Sequence, residues 1–275
     1  MTEQQSSNLV IYERDGYVGM ITLSRPERRN ALNLQLWNDL GRAVAAAEED
    51  TEVRVILLRG AGKSFCAGLD LSPDNEIISI ITGVPNAAQK TRFYKTVRRI
   101  QQIHNRFENI PVPVIGVLHG HCLGAGLELA LCCDFRLCSA DTVFSLPEAT
   151  LAIITDVGGL QRLPRVVGQG PAREIAYRGN RFGADYALRI NLVNESYPDQ
   201  ETLNRKAMEI ALEIAGNPPL AVQGAKNVLL YSDTLPVDCA QDYTAARSAM
   251  LMPSDDLMEA MAAYMQKRKG EFKGA

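Results

Sequence analysis

Short β-rich runs alternate with long amphipathic stripes through the first 199 residues of this chain, and after about Asp199 only helical stripes remain. That alternation admits few folds, because strands that recur after a helix run parallel and the helices must cover the faces of their sheet. Leu9 to Arg14 and Tyr17 to Ser24 flank Asp15-Gly16 and predict an opening hairpin with a type I′ turn. From Asn33, the apolar positions Leu36, Leu40, Val44 and Ala47 recur at spacings of three and four, a helix that ends in Glu48-Glu49-Asp50. Val53 to Arg59 reads as a buried strand. A second stripe, Phe93, Val97, Ile100, Ile103 and Phe107, is halted by Pro111-Val112-Pro113 before a strand from Val114 to Leu118. Phe135 to Cys138 and Val143 to Leu146 add two further strands. The class is α/β with a largely parallel sheet.

The tail carries four helical stretches, Leu203 to Ala215, Ala221 to Tyr231, Val237 to Met250 and Asp255 to Lys267. Gly216-Asn217-Pro218-Pro219 stops the first, and Ser254 supplies an N-cap for the last. Met208, Met250, Met252, Met258, Met261 and Met265 suit an adaptable packing surface against the preceding part or another subunit. Residues 1–199 therefore read as the core that carries the site, and residues 200–275 as a helical C-terminal region.

The chain has 275 residues, 46% of them hydrophobic, which is enough for a sizeable core. Its 29 Lys+Arg against 32 Asp+Glu leave a net charge of −3, without the concentrated basic surface that nucleic acid or an anionic membrane requires. Six cysteines without a C-x-x-C predict reduced, buried thiols. Met1 to Asn8 shows no basic segment followed by an apolar one, and the internal apolar runs are too short to span a bilayer. The expectation is a soluble, cytoplasmic protein with neither nucleic-acid nor membrane partner.

Three stretches combine glycine turns, apolar walls and isolated acids. Arg59 to Asp70 follows a strand and contains Gly62-Lys63-Ser64, but Leu57 stands where a phosphate-binding loop needs its first glycine. What survives is a flexible loop ending in Ala67-Gly68-Leu69, where small residues let another molecule approach the backbone, and Asp70 in its bland role caps a helix. Pro111 to Cys133 holds one acid, Glu128, just past Gly124-Ala125-Gly126, where cap and catalyst are equally good readings. His119 and His121 flank a turn glycine without a second ligand cluster, so no metal site is expected. In Val143 to Leu160 the only charged residues are Glu148 and Asp156. Carboxylates in apolar surroundings raise their pKa values and serve proton transfer, unless Arg162 or Arg165 neutralises Asp156 in a plain ion pair.

Together these stretches resemble the crotonase (enoyl-CoA hydratase/isomerase) superfamily over essentially the whole chain. Arg25-Pro26-Glu27-Arg28-Arg29-Asn30-Ala31-Leu32-Asn33 resembles its early CoA-contact segment, and Cys66-Ala67-Gly68-Leu69-Asp70 its first oxyanion-hole loop. His119 to Glu128 resembles the second such loop, and Leu146-Pro147-Glu148 the second carboxylate position. The resemblance implies a spiral of ββα units, with a helical C-terminal region that builds trimers, often paired as hexamers. It also implies an acyl-CoA thioester whose carbonyl is held by the backbone N–H groups of Leu69 and Ala125, with Arg28, Ala31, Ala67, Gly68, Asp70, Leu71 and Gly124 around the substrate. CoA would then be part of the substrate, with no separate cofactor. Ala125 departs from the glycine common at its position.

In hydratases of this family two glutamates, matching Glu128 and Glu148, add water to a 2-enoyl thioester. Asp156, in Thr155-Asp156-Val157-Gly158-Gly159-Leu160, stands where hydratases typically have glycine, and this run is similar to the dienoyl-CoA isomerases. There the acids matching Glu148 and Asp156 shuttle a proton along a conjugated chain, turning a 3,5-dienoyl-CoA into a 2,4-dienoyl-CoA. Glu128 departs from that pattern, since those isomerases usually carry aspartate at its position. The added Asp156 favours the isomerase, with hydration as the alternative and a non-catalytic RNA- or partner-binding relative as the remote one. A thioester hydrolase or decarboxylase would differ from both by few acids.

Overall fold

The computed structural model describes residues 8–275, so the leader reading made on Met1–Ser7 lies outside the described residues. β1 (Val10–Asp15) and β2 (Val18–Leu23) form the expected antiparallel hairpin. Its loop is Gly16-Tyr17, because Asp15 pairs with Val18. Gly16 has φ +57° and neither neighbour is left-handed, the pattern of a type II′ turn in place of the expected type I′.

α1 (Leu34–Glu49) starts where the Asn33 side chain accepts the Leu36 N–H at 2.8 Å. It returns the chain to β3 (Val55–Gly60), parallel to β2. An excursion through α2 (Glu76–Thr82) and α3 (Ala87–Glu108) precedes β4 (Val114–Leu118), again parallel. The chain then passes into β5 (His121–Leu123), α4 (Ala125–Ala130), β6 (Phe135–Ser139) and β7 (Val143–Ser145). A 3₁₀ turn, Pro147–Leu151, leads to α5 (Gly159–Val167), α6 (Gln169–Arg178), β8 (Phe182–Gly183), α7 (Ala184–Arg189) and β9 (Glu195–Tyr197).

Six strands make one sheet in the order β1-β2-β3-β4-β6-β9, and β5-β7-β8 make a second. The pairs β4/β5, β6/β7 and β8/β9 each place one strand in each sheet, with helices between successive pairs, consistent with the ββα spiral that the resemblance implies. β3 is buried on both faces, which explains why Val55 to Leu58 is apolar without a break. Ile56 and Leu58 pack with Leu36, Leu40 and Phe107 in one core, while Val55 and Leu57 face the other way.

That second core is closed by Leu203, Ala207, Ala211 and Ala215 of α8 (Gln200–Ala215). Packing therefore runs past residue 199, although strand signals end there, and α8 belongs physically to the sheet. α9 (Pro219–Ser232), α10 (Val237–Leu251) and α11 (Asp255–Gln266) complete the chain, and Ser254 caps α11 as expected, accepting the Leu257 N–H at 3.1 Å. Met208 packs against the second core, whereas Met250, Met252, Met258, Met261 and Met265 are exposed. Five cysteines are buried and Cys239 is exposed, an exception to the buried-thiol expectation. Among the described residues no helix is long and apolar enough to cross a membrane.

Candidate active site

Two loops meet at the ends of β3 and β4, and backbone pairing fixes how they meet. Cys66 N–H donates to His121 O at 2.8 Å and Leu123 N–H returns to Cys66 O at 3.0 Å, a parallel bridge between Cys66 and Cys122. A second bridge joins Leu32 to Leu69 through Leu32 N–H to Gly68 O (2.8 Å) and Asp70 N–H to Leu32 O (3.0 Å). In a parallel pair, bonds of that pattern turn the intervening residue's own N–H to the opposite side. The Leu69 N–H consequently faces away from Leu32, on the side of the cavity that Leu69 lines. Gly68, at φ +89°, permits this approach: a Cβ there would lie 2.8 Å from Leu123 O and 3.8 Å from Ala125 N.

Ala125 opens α4, where the first N–H groups have no partner inside the helix. The left-handed φ at this corner, +50°, falls on Gly124, so alanine at 125 sits in the helix without strain. The hub beneath the first loop is Asn30, itself left-handed at φ +56° and fully buried. Its Nδ2 sits among the carbonyls of Ser64 (2.8 Å), Ala61 (3.0 Å) and Phe65 (3.1 Å), and its Oδ1 accepts the Arg25 N–H at 2.8 Å.

Leu69 and Ala125 share a cavity of about 150 Å³ with Glu128, Glu148 and Asp156. Apolar walls come from Trp37, Ile77, Ile81, Phe93, Val97 and Ile100. Glu128 is 2% exposed and does not cap its own helix. Its Oε1 accepts the N–H groups of Gly159 (2.8 Å) and Val157 (3.1 Å), from the loop opposite. Burial, reinforced by the Glu148 and Asp156 charges, pushes its pKa up to about 8 against these two hydrogen bonds. Glu148 is also raised, by burial first and by Asp156, while the Thr155 hydroxyl donating to its Oε2 at 3.3 Å opposes this. Burial raises Asp156 as well.

None of these acids is in an ion pair among the described residues. Arg162 pairs with Glu108 at 2.6 Å and Arg165 with Asp233 at 3.0 Å, so neither neutralises Asp156. Glycines make the room: a Cβ at Gly159 would stand 2.7 Å from Glu128 Cγ, and one at Gly124 would stand 2.7 Å from Glu148 Oε1.

The model of the enoyl-CoA hydratase/isomerase family matches residues 13–275 of the chain. The chain belongs to that family. It is 37% identical to the peroxisomal Delta(3,5)-Delta(2,4)-dienoyl-CoA isomerase of Arabidopsis thaliana, over 99% of each chain. It is 35% identical to the short-chain-enoyl-CoA hydratase of Clostridium acetobutylicum, over 96% of this chain and 97% of that one. Among solved structures, the enoyl-CoA hydratase of Bacillus anthracis superposes with a TM-score of 0.88 at 34% identity, covering 97% of this chain and all of the other, 100%. The protein is therefore an enzyme of the enoyl-CoA hydratase/isomerase family, and the crotonase architecture is shown.

Of the residues expected around a family substrate, Ala67, Gly68, Leu71 and Gly124 line the cavity with the two N–H donors and the three acids. Arg28, Ala31 and Asp70 do not line it. Arg28 is exposed on the 3₁₀ turn Pro26–Arg28, and the Ala31 carbonyl is taken by Arg25 at 2.9 Å. Asp70 is committed to Arg25 at 2.5 Å and to the Ser72 hydroxyl and N–H, and caps no helix. Although burial pushes its carboxyl up, the hydrogen bonds from Ser72 and Arg25 hold it below the usual range. His119 bonds to Gly62 O at 3.0 Å, and His121 opens β5, reaching the Ser64 hydroxyl at 3.1 Å.

Trp37 and Ile100 belong to the cavity, and Asn30 to its support, although periodicity marks Ile100 only as part of a helical stripe, leaves Trp37 unmarked, and Asn30 stands only as part of a motif. The Glu128 environment has a measurable consequence. Its pKa in the folded protein, about 8, lies above the ordinary 4.5, so the folded state holds a proton that the unfolded chain has released across that window. Stability from this group is complete below about pH 4.5 and is lost as pH rises towards about 8. Glu128→Gln, which cannot ionise, should therefore gain melting temperature relative to wild type as pH is raised from 5 to 8.5. A constant difference across that range in thermal melts contradicts the buried, protonated state.

Proposed function

We propose that this enzyme converts a 3,5-dienoyl-CoA into a 2,4-dienoyl-CoA. The observation that carries the reading is Asp156, a further carboxylate that lines the cavity beside Glu148 with no cation among the described residues paired to it. Water addition needs two acids, and a proton moved between distant carbons gives the additional one a task. The Arabidopsis relative named as such an isomerase supports the same reading.

The thioester oxygen is held by the backbone N–H groups of Leu69 and Ala125. Glu148 stands against Gly124, one residue from the second donor, and takes the proton from C2. The electron pair left behind forms C1=C2 as charge moves onto the thioester oxygen, where two preorganised donors stabilise that charge more than they stabilise the neutral carbonyl. As that charge returns, C1=C2 becomes C2=C3, and Asp156, whose pKa burial raises, delivers a proton to C6 while the former C3=C4 and C5=C6 bonds become C4=C5. One proton leaves and one arrives, so the substrate is isomerised with no net change. Glu128, neutral near pH 7, adds no third negative charge to a site that must build an enolate. Arg28 and Ala31, outside the cavity, would meet the CoA portion together with Ala67 and Gly68.

A second reading, water addition to a 2-enoyl-CoA by Glu128 and Glu148, is favoured by glutamate at 128 and by the Clostridium relative named as a hydratase. Assays of both substrate classes separate the two. Asp156→Asn should lower isomerisation by roughly 10²- to 10⁴-fold, the usual worth of a positioned acid or base, and leave hydration nearly untouched. Fast hydration, inert 3,5-dienoyl-CoA and an indifferent variant overturn the isomerase reading.

The exposed apolar side chains of α10 and α11, including Met250, Met258, Met261 and Met265, belong in this proposal as the surface on which copies assemble into trimers, paired or unpaired. Sedimentation equilibrium should return three or six times the chain mass of 30.2 kDa, and a monomer at micromolar concentration contradicts it.

A further inference from the structure

α3 lines the cavity with one flank and touches the loop of Asp156 with the other. Phe93, Thr96, Val97 and Ile100 form the first flank. Gln101, His104 and Glu108 follow at the three- and four-residue spacings that share a helix face, and all three reach the segment 156–162. The Gln101 Nε2 donates to Asp156 O at 2.6 Å, and the His104 Nδ1–H donates to Val157 O at 2.7 Å. Glu108 anchors the end of that segment through its pair with Arg162.

The donor assignment for His104 follows from its surroundings. A carbonyl oxygen only accepts, so Nδ1 carries the proton. The ring is fully buried, packs against Trp37 with centroids 5.1 Å apart, and has an unpartnered Nε2. Desolvation holds its pKa down to about 3, so it remains a neutral single donor at every working pH. A buried imidazole with one free nitrogen is a costly way to fill a core, and its one satisfied bond goes to the residue after Asp156.

The loop is consequently suspended. Its carbonyls at 156 and 157 hang from α3, and its N–H groups at 157 and 159 hang from Glu128 Oε1. We propose that Gln101 and His104 are positioning residues, which fix the Asp156 carboxylate relative to Glu148 by holding the peptide carbonyl of Asp156 itself and that of the next residue. This rests on the catalytic reading of Asp156 for its effect on turnover, but not for its effect on the loop. Both residues act through Asp156 and neither lines the cavity itself.

The test combines loop exchange with a double-mutant cycle in the full-length enzyme. Gln101→Met keeps length and volume but lacks the donor, His104→Leu removes the donor, and His104→Asn restores an N–H near the Nδ1 position. Loss of either bond should speed amide exchange of peptides covering 155–159 by roughly three- to tenfold, with His104→Asn close to wild type. In turnover of 3,5-dienoyl-CoA, Gln101→Met and His104→Leu should lower kcat by roughly tenfold to a hundredfold with little change in KM, since a displacement of about 1 Å costs that much. In the Asp156→Asn background the same changes should cost almost nothing further.

Unchanged exchange overturns the proposal. Raised exchange with an equal loss of kcat in both backgrounds also overturns it, because the residues would then support the fold at large. If Asp156→Asn proves catalytically silent, the isomerase reading has failed, and the suspension is decided by exchange and by the asparagine rescue alone.

Discussion

Three carboxylic acids occupy one apolar cavity with no cation among the described residues bonded to any of them, and much of the structure follows from making that tolerable. An isolated charge in such a place is costly, so burial pushes a carboxyl's pKa up. The pKa of Glu128 is pushed up to about 8, and Glu148 and Asp156 move in the same direction for the same reason. The available arginine, Arg162, is kept on Glu108 and Asn105. Had it turned to Asp156, the acid would be held ionised and could not deliver a proton.

The backbone supplies what the side chains withhold. Two N–H groups from the 157–159 turn hold Glu128, and the N–H groups of Leu69 and Ala125 face the same cavity from its rim. Each approach depends on a missing Cβ, at Gly159, Gly124 and Gly68. Asn30 plays the complementary part from below, gathering carbonyls of the 61–65 loop so that its far end can bridge to β5. Under the proposed reaction, stabilisation of a developing enolate calls for donors already in place when substrate arrives, and the bridges Leu32–Leu69 and Cys66–Cys122 supply backbone bonds that tie the first loop down.

The larger elements were legible because their periodicity is strong. β4 lies at the expected residues, Val114–Leu118, and α1 carries the expected stripe behind its Asn33 cap. β5, β8 and β9 have three, two and three residues, too short for alternation to register, and they exist because neighbouring strands offer partners. α5 was hidden by Pro164 and by its glycine-rich start at Gly158-Gly159. The acids stood out as lone charges in apolar runs, and resemblance added the two N–H donors. Asp70 reads in the sequence as a helix cap, and only the fold shows that Arg25 reaches it from 45 residues away while Asn75 caps the next helix. Gln101 and His104 gave no signal, since their bonds run to carbonyls more than 50 residues distant.

The central claim is that these acids move a proton along a conjugated acyl chain and do not add water to it. Turnover of 3,5-dienoyl-CoA in deuterium oxide, with the product examined by NMR, tests this most directly. The account predicts a 2,4-dienoyl-CoA that carries deuterium at C6 and no added oxygen. A 3-hydroxyacyl product, or a 2,4-dienoyl product with C6 free of deuterium when solvent exchange of the acids is complete, would contradict it.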